Sequence, residues 1–171
     1  KKLDNLTKPP GSLGRLEELA KEIAGMKETS NPSISKKAIF TFAGDHGVTD
    51  EGVSAYPKTV TAQMVYNFVR GGAAINVLSK AIGAELIVAD LGVAEDIFSD
   101  RVIIKKVGYG TNNFCKGPAM TRENAIKSIN YGIEIFNQFG PYDIIGIGEM
   151  GIGNTTPSSA IASVFTDAPV E

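Results

Sequence analysis

The sequence is 171 residues long, 43% hydrophobic and 21% charged, with a formal net charge of -2, the composition of an ordinary globular protein with room for one domain or one domain plus part of another. It has no long basic run, so it lacks the electrostatic footprint of a nucleic-acid or anionic-membrane binder. No apolar segment approaches the roughly 20 residues of a membrane span, no charged-then-apolar signal opens the chain, and the expectation is a cytoplasmic protein.

Cys115 is the only cysteine, which excludes a disulfide framework and a cysteine metal cluster. Nothing beside it would activate a thiol nucleophile, and a lone cysteine is most often a small packed side chain. The chain starts at Lys1 and stops at Glu171, soon after its last helix pattern ends, and the expectation is a truncated or processed piece.

Residues 4–14, with Pro9 and Pro10, read as a polar loop that cannot be helical. Leu13, Leu16, Leu19, Ala20, Ile23 and Ala24 then recur at helical spacing, predicting one amphipathic helix that ends near Glu28. The turn-rich stretch 31–35 is the expected boundary, with 1–35 belonging to a small domain and 36–171 forming the first part of a large α/β domain.

Residues 38–43 are nearly all apolar without alternation, as in a strand buried on both faces. They run into Gly44, Asp45, His46 and Gly47. After a loop, a helix from Thr59 carries Val60, Met64 and Phe68 on one face, breaks at Gly71 and Gly72, and resumes over 73–82. Residues 84–89 predict a second buried strand ending at Asp90, and 102–107 a third ending at Gly108. Thr121 caps a helix with Ala125, Ile126, Ile129, Ile133 and Phe136 inward.

A last apolar run, D-I-I-G-I-G-E-M from Asp143, reads as a buried strand leading into G-I-G-N-T-T-P. Thr156 is the expected N-cap and Pro157 the first helical residue. Strands alternating with helices predict an α/β fold, a parallel sheet flanked by helices in three Rossmann-like layers.

Ligands of such sheets bind beyond the carboxyl ends of the strands, where Asp45, His46, Asp90, residues 108–111 and Glu149 all fall. A glycine loop feeding a helix start suits a phosphate, because N–H groups and the positive end of the helix dipole face it. His46, the single histidine, reads either as a general base or as an imidazole satisfied by the adjacent turn. Asp45 carries the same two readings. Glu149 either fixes its loop by accepting N–H bonds or is a desolvated carboxylate that orients or deprotonates a substrate ring N–H. Gln63 is the helix residue to aim at a ligand, and Ser54 and Tyr56 precede it as ligand contacts or as turn residues.

Gly146, Gly148 and Gly151 also spell G-x-G-x-x-G, which leaves a dinucleotide-binding oxidoreductase domain as a weaker reading. The loop continues to Pro157 before its helix, and Asp167 is too near to serve as the ribose acid. No phosphate-binding G-x-x-x-x-G-K-[ST] loop occurs, and no strand ends in paired acids for magnesium.

Three motifs together carry a resemblance: L-D-N-L-T-K-P-P-G-S-L-G-R-L-E at 3–17, F-A-G-D-H-G-V-T-D-E-G-V-S-A-Y-P-K-T-V-T-A-Q-M-V at 42–65 and I-G-E-M-G-I-G-N-T-T at 147–156. The sequence resembles the nicotinate mononucleotide:dimethylbenzimidazole phosphoribosyltransferases of cobalamin lower-ligand synthesis. That resemblance implies transfer of phosphoribose from nicotinate mononucleotide to 5,6-dimethylbenzimidazole, with α-ribazole phosphate and nicotinate as products, in a homodimer with a parallel-sheet large domain and a small domain made from both chain ends; the transfer scheme requires no metal, and no cofactor is expected. It implies a phosphate loop at Gly151, Ile152, Gly153, Asn154 and Thr155, and Gly148, Asp45 and His46 are further candidate substrate-binding residues at the strand ends. By the same resemblance Ser54, Tyr56, Gln63 and Met64 line the base pocket, and Glu149 stands on its base side. The family's general-base glutamate lies well downstream of the loop, and Glu171 follows too closely to be it. The resemblance thus covers the whole chain but about the first half of an intact enzyme, and the competing expectation is a catalytically incomplete fragment that binds nucleotide or base.

Overall fold

The structure, a computed structural model, describes residues 1–169; Glu171, set aside above as a general base, lies outside them. Contacts divide the chain into one compact unit over Lys1–Ser35 and a second from Lys36 onward.

The first unit holds a short 3-10 turn at Leu3–Asn5 and helix α1, Arg15–Met26. Glu17 and Glu18 sit in the first turn of α1, where carboxylates complement the helix dipole. The expected apolar stripe is only partly covered: Ile23 and Ala24 are half-buried, Leu16 is 64% exposed, Leu13 and Leu19 are also exposed, and Glu17 is buried. Glu17 is drawn in because Lys8 Nζ donates to it at 2.7 Å and the Leu13 N–H at 3.2 Å. These bonds hold its carboxyl below the usual carboxylate value.

The second unit is a four-stranded parallel sheet in the order β3-β2-β1-β4. Its strands are β1 (Lys37–Gly44), β2 (Ala84–Gly92), β3 (Val102–Ile104) and β4 (Ile144–Met150). Helices α2 (Thr59–Arg70), α3 (Ala74–Ala81), α4 (Arg122–Phe139) and α5 (Thr155–Thr166) accompany it. The expected α/β architecture is present, although β3 is shorter than its sequence pattern.

Two cores lie on opposite faces of the sheet. Ala62, Val65 and Phe68 of α2 pack with Ala43, Val88 and Val102 on one face. Ile135 of α4 packs with Ala38, Phe40, Ile87 and Ala89 on the other. The chain leaves β1 toward β2 and β3 on one side, then returns to place β4 on the other. The crevice between the carboxyl ends of β1 and β4 is therefore the topological switch point, where such sheets bind ligands.

Three packing expectations are corrected. The inward face of α2 is turned by about one residue, with Thr61, Ala62, Val65 and Phe68 buried and Val60 and Met64 only partly so. In α4 the anchor is Ile135, whereas Ile126, Ile129, Ile133 and Phe136 remain exposed. The third is β4, which pairs with β1 alone and leaves Ile147 84% exposed. An apolar run does not reveal whether its strand is central or at an edge. Together Ile129, Ile133 and Phe136 of α4, Phe40 of β1 and Ile145 and Ile147 of β4 line an open apolar groove of about 450 Å³.

Tyr142, just before β4, packs edge-on against Phe40 at 6.1 Å and donates its hydroxyl to Glu85 at 2.6 Å. Burial first, then the bond to Glu85 and its charge, push the phenol up to about 12. Because the folded value lies above the unfolded one, this contribution to stability is complete below pH about 10 and is lost as pH rises toward 12. In an ultraviolet titration one of the five tyrosines should ionise last, near pH 12, and Tyr142→Phe should remove that step. Five tyrosines all ionising near pH 10 would refute the assignment.

Candidate active site

The end of β1 is knitted to its neighbours through backbone groups. The Asp45 N–H donates to Gly92 O at 2.9 Å, and Asp45 O accepts from the Thr111 N–H at 2.9 Å. Gly47 follows, donating to Thr111 O at 3.0 Å and opening a 3-10 turn over Gly47–Glu51. The buried Asp45 carboxylate accepts from the Ala94 N–H at 2.7 Å, while its other oxygen has no partner among the described residues. A cavity of about 150 Å³ opens here, between Asp45, His46, Leu91, Thr111, Met120 and Asn124.

Asp90, the acid at the end of β2, is structural. It is 0% exposed, accepts N–H bonds from Gly92 at 2.9 Å and Val93 at 2.7 Å, and faces Lys106 Nζ at 3.0 Å. The Lys106 contact is an ion pair without the alignment of a hydrogen bond. Lys106 also lies 4.6 Å over the Tyr109 ring. The Tyr109 hydroxyl donates to Asp96 at 2.9 Å, and that bond raises the phenol above its usual value.

On the other side of the switch point, β4 ends at Met150 and α5 begins at Thr155. The cap is therefore Asn154 rather than Thr156, and Pro157 stands at the third helical position. Proline is tolerated there because the first-turn N–H groups have no partner four residues back. The Asn154 side chain makes no capping bond; its Oδ1 meets Nε2 of His46 instead.

The loop 151–154 lies tightly on the β1 end. A Cβ on Gly151 would collide with Gly44 O, and Gly153, at φ +81, would bring one within 2.9 Å of Thr49 Cγ2. Ile152 donates its N–H to Thr61 Oγ1 at 3.1 Å, and Thr61 is 0% exposed on α2. The N–H groups of Asn154 and Thr156 are used within the loop. Those of Gly153 and Thr155 have no partner among the described residues. Two free N–H groups at the positive end of a helix make an anion-binding geometry.

The remaining sequence-predicted residues are spread more widely. Glu149 is exposed and, in register with Phe42, lies on the α4 face of the sheet. It makes no hydrogen bond or ion pair among the described residues, so neither the loop-fixing nor the desolvated environment is present. Ser54 accepts from the Tyr56 N–H at 3.2 Å as a turn residue, and Tyr56 and Gln63 are exposed. Met64 packs against the α2-face core. Gly146 and Gly148 lie within β4, beside Ile39 and Thr41, so the G-x-G-x-x-G pattern does not form a dinucleotide-binding turn. Sequence reasoning missed Thr61; its one signal was a hydroxyl in the first turn of an otherwise apolar helix face.

The phosphoribosyltransferase family profile matches residues 1–171. The chain belongs to this family. A relative from Geobacter sulfurreducens, named nicotinate-nucleotide–dimethylbenzimidazole phosphoribosyltransferase, is 56% identical over 173 residues, covering 99% of this chain and 49% of the relative. One of the same name from Dehalococcoides mccartyi is 51% identical, over 98% of this chain and 49% of its own length. A crystal structure of the enzyme so named from Thermus thermophilus superposes with a TM-score of 0.93 at 41% identity, over 98% of this chain and 52% of that one. The chain thus spans about half the length of the relatives it matches.

No helix among the described residues is long and apolar enough to cross a membrane. No group of three or more His, Cys, Asp or Glu there is arranged to hold a metal ion.

Proposed function

We propose that this chain forms the first part of an enzyme that transfers phosphoribose from nicotinate mononucleotide to 5,6-dimethylbenzimidazole. The observation that carries the reading is the loop 151–154, with its unused Gly153 and Thr155 N–H groups at the start of α5. The names of the relatives supply the substrates.

In this reaction a ring nitrogen of the base attacks the ribose anomeric carbon as the bond to nicotinate breaks. The bonding pair returns to the pyridine nitrogen and cancels its positive charge, so the leaving group needs no proton. The other ring N–H of the base loses its proton to a carboxylate. Holding the ribose phosphate on Gly151, Ile152, Gly153, Asn154 and Thr155 aligns the anomeric carbon with the base, and that alignment supplies much of the rate.

Gly148, within β4, belongs with the substrate-binding residues at this end of the sheet. Asp45 and His46 support the loop side of the site, and Ser54, Tyr56, Gln63 and Met64 the base side. Glu149 is the carboxylate of this half, and it requires polypeptide beyond the β4 edge to enclose it. We assign residues 1–35 to a small domain and 36–171 to the first part of the large one. The enzyme is cytoplasmic and dimeric, with no metal or cofactor in the scheme.

A second reading, a nucleotide-binding module without turnover, is favoured by the exposure of Glu149. Titration calorimetry with nicotinate mononucleotide, followed by an assay of nicotinate release with dimethylbenzimidazole, separates the two. Binding with release supports the enzyme, and binding alone supports the module. Gly153→Asp sets a negative charge and a strained left-handed residue in the loop, and should weaken binding at least tenfold. An unchanged dissociation constant would remove the loop from the site.

A further inference from the structure

We infer that His46 is a positioning residue that orients Asn154 so that its side-chain amide N–H₂ becomes a third donor to the bound anion. This inference rests on the reading of 151–154 as a phosphate loop.

His46 is fixed before it reaches the loop. Its backbone bridges Thr111, and its carbonyl accepts from the Thr49 hydroxyl at 2.7 Å and the Thr49 N–H at 3.2 Å. From that anchored position Nε2 meets Asn154 Oδ1. An amide oxygen only accepts, so Nε2 carries the hydrogen, as the neutral Nε2–H tautomer or as imidazolium. Oδ1 is thereby committed to His46. The Asn154 N–H₂ has no partner among the described residues.

This arrangement also explains why Asn154 stands at the cap of α5 without making a capping bond. A cap oxygen accepts from the N–H of the second or third helical residue, but the Thr156 N–H already donates to Gly153 O at 3.0 Å and Pro157 has no N–H, so Oδ1 is turned to His46 instead. Held by His46, Asn154 presents donors only, beside the open N–H of Thr155. Thr61 holds the Ile152 N–H from the α2 side, and the contact of Gly151 with Gly44 O closes the third side. The donors left for a ligand are the N–H groups of Gly153 and Thr155 and the Asn154 amide, all positive in sense, as an anion requires.

His46→Ala should raise the dissociation constant for nicotinate mononucleotide about tenfold, the order expected for one lost charge-assisted bond. His46→Gln, whose amide nitrogen reaches about as far as Nε2, should recover most of that loss. In an Asn154→Ala background His46→Ala should add little, because the partner through which it acts is gone. Equal weakening by Gln and Ala, additive losses in the double variant, or wild-type affinity in His46→Ala would overturn the inference.

Nitrogen-15 imidazole spectra of the single histidine separate this inference from the functional reading. Wild-type protein should show a hydrogen-bonded Nε2–H that Asn154→Ala shifts. If nicotinate mononucleotide does not bind but that signal and its shift are present, the functional reading fails while the His46–Asn154 link stands. A spectrum indifferent to Asn154 refutes the link itself.

Discussion

Asp90→Ala is expected to destabilise the protein by about 3 kcal/mol, the lower end of the range for removing one partner of a buried ion pair. The carboxylate is 0% exposed and accepts from Gly92 at 2.9 Å and Val93 at 2.7 Å, so alanine leaves two N–H groups without their acceptor. It also leaves Lys106, nearly buried itself, without its counter-charge at 3.0 Å. The lower end applies because Lys106 keeps the carbonyls of Val93 at 2.5 Å and Glu95 at 2.8 Å and its place over the Tyr109 ring.

Asp90→Asn keeps an acceptor for the two N–H groups and loses only the charge, so its cost should be smaller. Urea unfolding of the three proteins checks the order. A loss below about 1 kcal/mol for the alanine variant would mean that Lys106 is satisfied without Asp90. The damage should also spread, since Gly92 O and the Ala94 N–H hold the backbone and carboxylate of Asp45. Nucleotide binding should weaken together with stability.

The contrast between Asp90 and Glu149 shows what the chain made legible. Both are acids at the end of an apolar strand, and nothing in their local sequence distinguishes a structural carboxylate from a functional one. Asp90 found its cation sixteen positions on, in a lysine held against Tyr109; Glu149 found none. The buried strands β1 and β2 could be read because both their faces are covered, which produces an unbroken apolar run. The same signature misled for β4, whose apolar residues line an open groove.

The loop after β4 and the helix that follows it were legible from glycine and proline, with the helix start read two residues late, because backbone geometry dictates those residues locally. Its supports were not. Thr61 meets Ile152 across 91 positions and His46 meets Asn154 across 108, and no periodicity reports a contact that only the sheet topology creates. The faces of α1, α2 and α4 slipped for a related reason. A broad apolar stripe fixes a helix's general orientation, while the neighbouring elements decide which residue in it is innermost.

Gly47→Ala is the second substitution with a large expected effect, at about 2–3 kcal/mol of destabilisation. A Cβ there would lie 2.5 Å from Asn113 N, 2.6 Å from the Asn112 carbonyl carbon and 2.7 Å from Thr111 O. All three are backbone atoms, so no rotamer change relieves the clash and the segment 111–113 must move. Moving it breaks the Gly47 bond to Thr111 O at 3.0 Å and the Thr111 bond to Asp45 O at 2.9 Å. The same motion pulls on His46, which bridges Thr111 and holds Asn154, so the dissociation constant for nicotinate mononucleotide should rise in step with the loss of stability. Gly117→Ala is the control: nothing lies within 4 Å of its Cβ, and its effect should stay within about 0.5 kcal/mol. Thermal unfolding of both variants decides the matter. Equal midpoints would mean that the crossing of the β1 end with 111–113 yields easily and does not hold the site; a wide gap, with weakened nucleotide binding in Gly47→Ala alone, would make that backbone crossing the foundation on which the phosphate loop rests.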